Sequence, residues 1–480
     1  MRKALLLLAV GAIALAPAGA QRQLRDLDPQ DVSEAQREHA ALVQEMGGAE
    51  TGARAAYVAA VGRRVGAYSG IANPGQELHF TLLNSAVENA FSVPGGYVYA
   101  TRQLMTLMDD ESELAFALGH EIGHVAANHA HIREAYAQQS VGLFGEILGA
   151  VFGDTSVLQR ARLDLLSFSR EQEYQADQLG VRYMIAAGYD PAGAPALLRA
   201  LSRQSALQSR VEGRTNRQTP EWASTHPLSE NRMQQALEWA RASGRLGTGI
   251  RNRDAYLNEL EGTYVDDDPA QGIIDGPTFT HPDLRIRFRV PPGYLMSNGT
   301  YAVTISGSAG KAQFSGGRFS GPLDNYILGV FEQLTRGSAN FPVPQPRRTV
   351  INGMPAAFTT ARVETSSGLI DVSVVAYQWD AQHVYHFVML TPSGYGMAPF
   401  SSMVNSLRRI TPAEAASIHP RIIHIVSVAP GDTVQSLASR MAYSDFKLDR
   451  FLTLNGLSPG SRLVPGQRVK LVIYGARRRS

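Results

Sequence analysis

The sequence has no cysteine in 480 residues, so no disulfide bond can hold the fold together. A chain without disulfides depends for its stability on its apolar core or on a bound metal. The same absence excludes a bacterial lipoprotein, because the lipid of such proteins is attached to a cysteine that follows the leader. The apolar share of 44% is ordinary for a globular protein and is enough to build a core.

The sequence also lacks a strong excess of charge of either sign. Its 45 basic residues stand against 43 acidic residues, which leaves a net charge of +2. Nucleic-acid-binding proteins usually show a clustered basic excess, and the short basic tail Arg477–Arg479 is better explained as a solvated chain end. We therefore expect no nucleic-acid partner.

Long apolar runs are scarce as well. The run Leu5–Leu15 follows two basic residues and precedes the small residues Ala18–Ala20. This order is typical of a secretory signal peptide, and the run is too short to cross a bilayer comfortably. We expect residues 1–20 to be removed, a mature chain that starts at Gln21 without a transmembrane anchor, and export to the periplasm.

The most informative stretch of the chain contains the pattern His-Glu-x-x-His. His120 and His124 are four residues apart, so on a helix they lie on one face and can bind one metal ion together. Glu121 lies one position further round and can reach a metal-bound water, from which it would take a proton. Apolar residues at helical spacing support the helix, and Asp110 and Glu113 are suited to a capping box at its start.

A catalytic zinc site needs three protein ligands and one open position for water. The best third ligand is Glu173, on a second predicted helix that ends near Ala187 because Gly188 follows it. Asp177 lies one turn after Glu173 and is placed to hold a metal ligand, such as the far nitrogen of a histidine. These residues predict a hydrolytic site with one Zn²⁺ per chain.

Four segments together resemble the M48 family of zinc metallopeptidases, in particular its periplasmic branch that acts in outer-membrane quality control. The segments occur in the order of the family, within about residues 35–240: Asn89–Val98, His120–His124, Glu173–Asp177 and Thr225–Arg232. The resemblance implies that His120, His124 and Glu173 bind zinc and that Glu121 is the general base.

The resemblance implies further roles near the zinc. Asp177 would either assist as a proton donor or hold a zinc ligand from behind. His226 would stabilise the transition state, or it would occupy the open zinc position as a gate. Arg232 would tie its segment down by hydrogen bonds. Ser92 stands where relatives often carry alanine, a small departure from the pattern.

Two other zinc-peptidase patterns fit less well. A metzincin would have a third histidine ligand six residues after His124, and that position is Ala130. Thermolysin-like enzymes also use a downstream glutamate, but one much closer than the 49 positions between His124 and Glu173 (173 minus 124).

Three segments around the predicted zinc site are predicted from their patterns, two of them with alternative roles. Leu78–Leu83 and Gly96–Tyr99, with a turn signal at Pro94–Gly96, predict a short hairpin whose edge either binds an extended peptide or only supports the helix. The apolar segment Val141–Phe152 is either a cover over the cleft, a surface for unfolded substrates, or a buried helix. Residues 207–221 predict an exposed loop that brings His226 to the site.

The length suggests about three folded units. The first is a peptidase domain over residues 21–265, followed by a linker rich in Asp, Pro and Gly that ends at Pro277. The second, residues 278–412, is an α+β domain whose sequence shows no metal cluster, catalytic triad or phosphate loop. Its predicted strands are 286–290, 301–305, 349–351, 370–379 and 384–390, and its predicted helices are 323–334 and 400–407.

The third unit, residues 423–474, resembles the LysM module. The segments that carry this resemblance are Pro430–Thr433, Ser436–Ala438, Asn455–Leu457, Leu463–Gln467 and Val469–Leu471. The resemblance implies a βααβ fold and binding of N-acetylglucosamine glycans such as peptidoglycan. A purely structural attachment is the alternative, because function belongs to a site and not to a fold.

The predicted fold class is therefore α+β multidomain, with a mainly helical zincin-type domain that contains a short β-sheet, an α+β domain and a small βααβ domain. The predicted function is a zinc metalloendopeptidase of the bacterial cell envelope that acts on misfolded or misassembled envelope proteins. Two alternatives stay open: a chaperone-like binder of outer-membrane proteins with proteolysis gated by His226, and a peptidoglycan-binding adaptor. If the adaptor function is separable, deletion of residues 415–480 leaves peptidase activity intact.

Overall fold

The structure is a computed structural model that describes residues 24–129, 168–211, 226, 230–335, 342–365 and 368–477. The predicted signal peptide, the apolar segment Val141–Phe152 and most of the predicted loop 207–221 lie outside these residues. Within the described ranges, no helix combines the length and the apolar character needed to cross a bilayer.

The described part of the chain mixes helices and strands, as predicted for an α+β multidomain protein. Its α-helices are α1 (Pro29–Glu45), α2 (Ala53–Gly66), α3 (Pro74–Glu77), α4 (Arg102–Leu107), α5 (Glu111–Ala126), α6 (Arg170–Ala186), α7 (Gly193–Val211), α8 (Glu230–Ala242), α9 (Arg253–Leu260), α10 (Leu323–Thr335), α11 (Ser401–Ser406), α12 (Pro412–Ala416), α13 (Val434–Ser439) and α14 (Lys447–Leu454), with a 3₁₀ turn at Ala398–Phe400. Its strands are β1 (His79–Leu83), β2 (Ala90–Val93), β3 (Tyr97–Thr101), β4 (Tyr264–Val265), β5 (Ile273–Asp275), β6 (Thr278–His281), β7 (Ile286–Arg289), β8 (Leu295–Asn298), β9 (Val303–Gly307), β10 (Gly310–Arg318), β11 (Arg347–Ile351), β12 (Met354–Thr365), β13 (Gly368–Gln378), β14 (His383–Pro392), β15 (Arg408–Arg409), β16 (Arg421–Ser427) and β17 (Arg468–Tyr474).

Helix α5 carries the His-Glu-x-x-His pattern, and the predicted helix is confirmed. Its apolar stripe of Leu114, Leu118 and Ile122 is completely buried. Asp110 caps the helix by accepting a hydrogen bond from the backbone N–H of Ser112. The predicted capping box is therefore only half formed. The other member, Glu113, is buried among charged neighbours and accepts a hydrogen bond from the backbone N–H of Asp109, one residue before the cap.

A close helix pair brings the second predicted helix, α6, against α5. The two helices meet where neither has a side chain, at Gly119 and Gly180. A Cβ atom added at Gly180 would lie 2.9 Å from the backbone nitrogen of His120, so only glycine permits this approach. The contact places Glu173 and Asp177 beside the two histidines of α5.

The small sheet next to α5 differs from the predicted hairpin. Its strand order is β1-β3-β2, and β1 pairs with β3 in parallel. The hairpin instead joins β2 to β3 through Pro94–Gly96, where Gly95 and Gly96 have positive φ angles of 86° and 89° that suit glycine in a tight turn. The prediction was wrong because the four residues of β2 are too short a run to show a period. Strand β2 is one of the two edge strands of this sheet, and it lies against α5.

The predicted start of the loop 207–221 was also wrong, because residues 207–211 belong to a helix. Helix α7 continues to Val211 and buries Leu207, so the first five residues of the predicted loop are helical. The helix buries apolar residues along one face up to this point, which keeps it packed.

The middle unit is built on a seven-stranded antiparallel sheet with the order β11-β12-β13-β14-β10-β9-β8. Helix α10 packs on one face, and the four-stranded sheet β15-β7-β6-β5 packs with α11 on the other. Each predicted strand and helix of this unit overlaps an observed one. The long strands β10 and β12 were not predicted.

The C-terminal unit has the predicted order of strand, two helices and strand, formed by β16, α13, α14 and β17. Strands β16 and β17 are antiparallel, and β16 also pairs with β4, which directly follows the helices of the peptidase unit. The apolar cores of the two units are continuous, so that buried Ile423, Phe451 and Leu471 belong to the same cluster as Leu104 and Leu257.

Candidate metal centre

Four buried side chains converge at the junction of α5 and α6. One ligand atom from each of His120, His124, Glu173 and His226 lies within 4.8 Å of the other three. None of the four is more than 2% exposed. Buried polar atoms gathered this closely require hydrogen bonds or a metal ion to offset their lost hydration.

The two histidines of α5 face each other one helical turn apart, with their Nε2 atoms separated by 3.0 Å. Glu173 enters from α6, and its Oε1 lies 3.5 Å from His124 Nε2. His226 comes from the segment before α8, and its Nδ1 lies 3.0 Å from Glu173 Oε1 and 3.3 Å from His120 Nε2. The structure thus brings all three predicted ligands and His226 together.

Glu121 is completely buried beside the cluster. One carboxylate oxygen, Oε2, accepts a hydrogen bond of 3.1 Å from Ser92 Oγ on strand β2. The other, Oε1, has no hydrogen-bond partner among the described residues, and it lies 3.5 Å from His226 Nε2. A buried carboxylate oxygen without a donor is suited to accept a proton from a water bound in the cluster.

Asp177 lies behind His120, on the side of the ring away from the cluster. Its Oδ1 is 2.9 Å from His120 Nδ1, and both of its oxygens accept hydrogen bonds from Arg232. Burial alone would raise the pKa of Asp177, but Arg232 and His120 outweigh burial and lower it to about 2. Of the two roles left open for Asp177, the geometry favours holding His120 over donating a proton, because the group is a carboxylate at neutral pH.

Arg232 also reaches Glu173, with Nη1 2.6 Å from Oε2. Burial would raise the pKa of Glu173, but His226 and Arg232 overcome this and lower it. Burial would likewise lower the pKa of His226, whereas Glu173 and Glu121 raise it. Glu173 is therefore held ionised, as a metal ligand must be.

Two contacts of the site were not predicted from the sequence. Phe168, just before α6, stacks on the His124 ring with a centroid distance of 3.6 Å. His129, five residues after His124, contacts the same ring from its other edge. The helical period gives no signal for either residue, because neither lies on the helix of the ligand that it contacts.

A cleft of about 230 Å³ opens beside His124. Residues Ser92–Gly95 at the end of edge strand β2 form one wall, and the segment that enters α1 (Arg25–Asp28) forms the opposite wall. His124, Val125 and Phe168 form the remaining boundary. A peptide in this cleft would lie next to the free edge of the small sheet.

The donor set agrees with zinc in its chemistry. Imidazole nitrogens and a carboxylate oxygen are ordinary zinc ligands, and the contact of Asp177 with His120 Nδ1 is the carboxylate–histidine arrangement common at such sites. Glu121 Oε1, which has no hydrogen-bond partner among the described residues, lies 3.5 Å from His226 Nε2 of this donor set.

Comparison with known families agrees with this geometry. Residues 52–240 match the family described as Peptidase family M48. The chain carries an M48 peptidase domain. Residues 426–472 match a second family, described as LysM domain, so the C-terminal βααβ unit is a LysM domain.

Relatives of known name share the M48 region. The chain is 34% identical over 170 residues to the beta-barrel assembly-enhancing protease of Escherichia coli K12, and the match covers 33% of each protein. It is 31% identical over 186 residues to the mitochondrial metalloendopeptidase OMA1 of Schizosaccharomyces pombe, covering 38% of this chain and 52% of that one. The chain thus spans about a third of the first relative and about half of the second.

Proposed function

We propose that this protein is a zinc-dependent metalloendopeptidase of the bacterial cell envelope. The observation that carries the proposal is the buried cluster of His120, His124 and Glu173 with the orphaned carboxylate oxygen of Glu121 beside it. These three side chains would hold one Zn²⁺. When bound, the ion would make a bound water more acidic and would polarise the scissile carbonyl as a Lewis acid.

Glu121 acts in this proposal as the general base and then as the proton carrier. It would take a proton from the attacking water and deliver it to the leaving amine. Ser92 fixes one oxygen of Glu121 by a hydrogen bond and leaves the other free for this transfer. Asp177 and Arg232 hold His120 and Glu173 in place from behind.

His226 is proposed to be a gate. A catalytic zinc site keeps one position open, whereas here His226 brings a fourth ligand nitrogen into the cluster. With His226 in place, substrate and water would compete with it for the fourth position. The resting enzyme would then be latent, and it would bind unfolded proteins before it cleaves them, which keeps a chaperone-like role as the second candidate function.

The substrates proposed are misfolded or misassembled envelope proteins. An extended segment would pair with the free edge of β2 and lie in the cleft beside His124. The name of one relative, a beta-barrel assembly-enhancing protease, supports this substrate class, and the name of the other, a mitochondrial metalloendopeptidase, supports the reaction. The LysM domain would bind peptidoglycan and keep the enzyme in the periplasm.

The test is zinc content together with casein cleavage for the wild type and for Glu121→Gln. We expect about one zinc in each protein and cleavage by the wild type alone, since glutamine keeps the shape of the side chain and cannot take the proton. Zinc without cleavage in the wild type would call for His226→Ala, which should then release activity. A wild type that binds no zinc would overturn the proposal.

A further inference from the structure

His129 is a buried histidine that the proposed mechanism does not use. Helix α5 ends at Ala126, and Asn128 adopts a left-handed conformation with φ of 55° that turns the chain back on itself. The turn places His129, which is 1% exposed, under the ring of His124. The Nδ1 atoms of the two rings are 3.0 Å apart.

The positions of protons along this contact follow from the metal site. His124 Nε2 faces Glu173 and His120, so a bound metal would take the lone pair of that nitrogen. A neutral His124 ring must then carry its proton on Nδ1, so that this N–H is a hydrogen-bond donor. The acceptor within reach is His129 Nδ1, which can accept only if its own proton is on Nε2.

The far side of His129 completes the pattern. Its Nε2 lies 3.0 Å from the side-chain oxygen of Gln175, an amide oxygen that accepts a hydrogen bond. Gln172 donates a hydrogen bond of 3.3 Å to the His129 carbonyl oxygen and fixes its backbone. The chain from His124 through His129 to Gln175 is therefore consistent in one direction only, with every donor matched to an acceptor.

We propose that His129 is a positioning residue for the metal ligand His124. Its Nδ1 accepts a hydrogen bond from the Nδ1–H of His124 and so favours the His124 tautomer that leaves Nε2 free for zinc, while Gln175 keeps His129 itself in the matching tautomer. The carboxylate of Asp177 holds His120 in the same way. Of the two proposed ligands on α5, His120 is therefore held by a charged group and His124 by a neutral ring. The inference rests on the proposed zinc site.

The experiment measures zinc affinity by chelator competition in the wild type, His129→Leu, His129→Asn and the control His39→Leu. Asparagine keeps an acceptor oxygen near the position of Nδ1, and leucine keeps only bulk. His39 is a histidine outside the site whose Nδ1 also makes one side-chain hydrogen bond, to Tyr99. Thermal unfolding of the metal-free proteins shows whether each variant is folded.

We expect His129→Leu to weaken zinc binding by about 10- to 100-fold, the usual effect of losing a side chain that hydrogen-bonds to a metal ligand. His129→Asn should recover most of that loss, and His39→Leu should bind zinc like the wild type. Wild-type affinity in His129→Leu, or equal losses in the leucine and asparagine variants, would overturn the inference and leave the proposed function standing. A wild type without zinc would overturn both. If His129→Leu does not fold, His129→Asn decides: affinity near the wild type supports the inference, and affinity as low as that of a ligand variant such as His124→Ala overturns it.

Discussion

Arg232 holds two acidic side chains of the metal centre at once. Its guanidinium bonds to Glu173 and, through two hydrogen bonds, to Asp177, and it is only 2% exposed. The fork of an arginine suits this pairing, whereas a lysine would offer a single point charge. Arg232 therefore fixes the distance between the proposed ligand Glu173 and Asp177, the carboxylate that contacts the proposed ligand His120.

We predict that Arg232→Met lowers the free energy of unfolding by about 3–5 kcal/mol, because it leaves two buried carboxylates without their cation. Urea denaturation of the metal-free protein measures this loss. Arg241→Met is the matched control, since Arg241 lies on the same helix but is exposed, and it should change stability by less than about 0.5 kcal/mol. Equal effects of the two substitutions would contradict the prediction.

His386 of the middle unit predicts a pH dependence of stability. Its ring is buried and is contacted by the Tyr326 hydroxyl at 2.8 Å, and burial lowers its pKa from 6.5 to about 4. The unfolded chain takes up a proton near pH 6.5, but the folded chain does not until about pH 4. The stabilisation is therefore present above pH 6.5 and is lost as the pH falls towards 4.

Denaturant unfolding of the wild type and His386→Gln between pH 7 and pH 4 tests this dependence. The wild type should lose more stability than the variant over that range, by up to about 3 kcal/mol for a shift of this size. Parallel pH profiles for the two proteins would mean that His386 does not titrate as proposed.

The residues of the metal centre differ in how far sequence could identify them. His120, Glu121 and His124 share one helical turn, so their spacing alone is informative. Glu173 lies 49 positions after His124 (173 minus 124), and it became the candidate only because the histidine pair needed a third ligand. His226 lies 102 positions after His124 (226 minus 124) and could be placed only through the family resemblance. Neither the helical spacing nor the family resemblance identified Phe168 and His129, since their contacts with His124 depend on segments outside the helices.

At the scale of elements, the crossing of α5 and α6 decides whether a site exists. Gly119 and Gly180 let the two backbones touch, and Gly123 adds a third such contact, where a Cβ would lie 3.1 Å from the Ala176 carbonyl oxygen. Any side chain at this crossing must move α6 outward, and Glu173 moves with it.

We predict that Gly180→Val abolishes zinc binding while the protein remains folded, because the added atoms meet the backbone of His120 and not a flexible side chain. Zinc content and circular dichroism measure the two properties. Gly329→Ala, in α10, is the control: a Cβ there meets nothing within 4 Å, so zinc content should not change. Full zinc occupancy in Gly180→Val would show that the helices can separate without harm.

The small sheet shows where element prediction from sequence stops. The strand segments and the Pro94–Gly96 turn were visible, but the pairing was not, because β1 reaches β3 across a loop and pairs in parallel. Strand β2, which lines the cleft, is four residues long and gives no period. In the middle unit, the apolar runs of β13 and β14 and the apolar face of α10 were recognised, whereas the long strands β10 and β12 were not.

At the scale of the whole molecule, the LysM domain is packed into the peptidase domain. Lys470 of β17 is completely buried, and its Nζ donates to the carbonyl oxygens of Thr106 and Met108 and lies 3.2 Å from Asp109. These acceptors directly precede helix α5. The C-terminal domain thus supports the start of α5, the proposed metal-binding helix.

This packing changes the expected result of deleting residues 415–480. Sequence alone predicted that peptidase activity survives the deletion, because the LysM-like pattern of residues 423–474 is typical of a separate domain. We now expect the truncated protein to lose zinc binding and casein cleavage, since the deletion exposes a shared core and removes Lys470 from the turn before α5. Retained activity would restore the separable adaptor as a possibility.

The position of Lys470 also bears on when the turn before α5 can be completed during synthesis. The turn before α5 contacts a residue more than 360 positions later, so the contact closes one of the longest loops that the chain allows. Synthesis must reach Lys470 before that contact can form. A chain that has been made only as far as α5 therefore lacks this support for the turn before the proposed metal-binding helix, so we expect the proposed site to be completed late in synthesis.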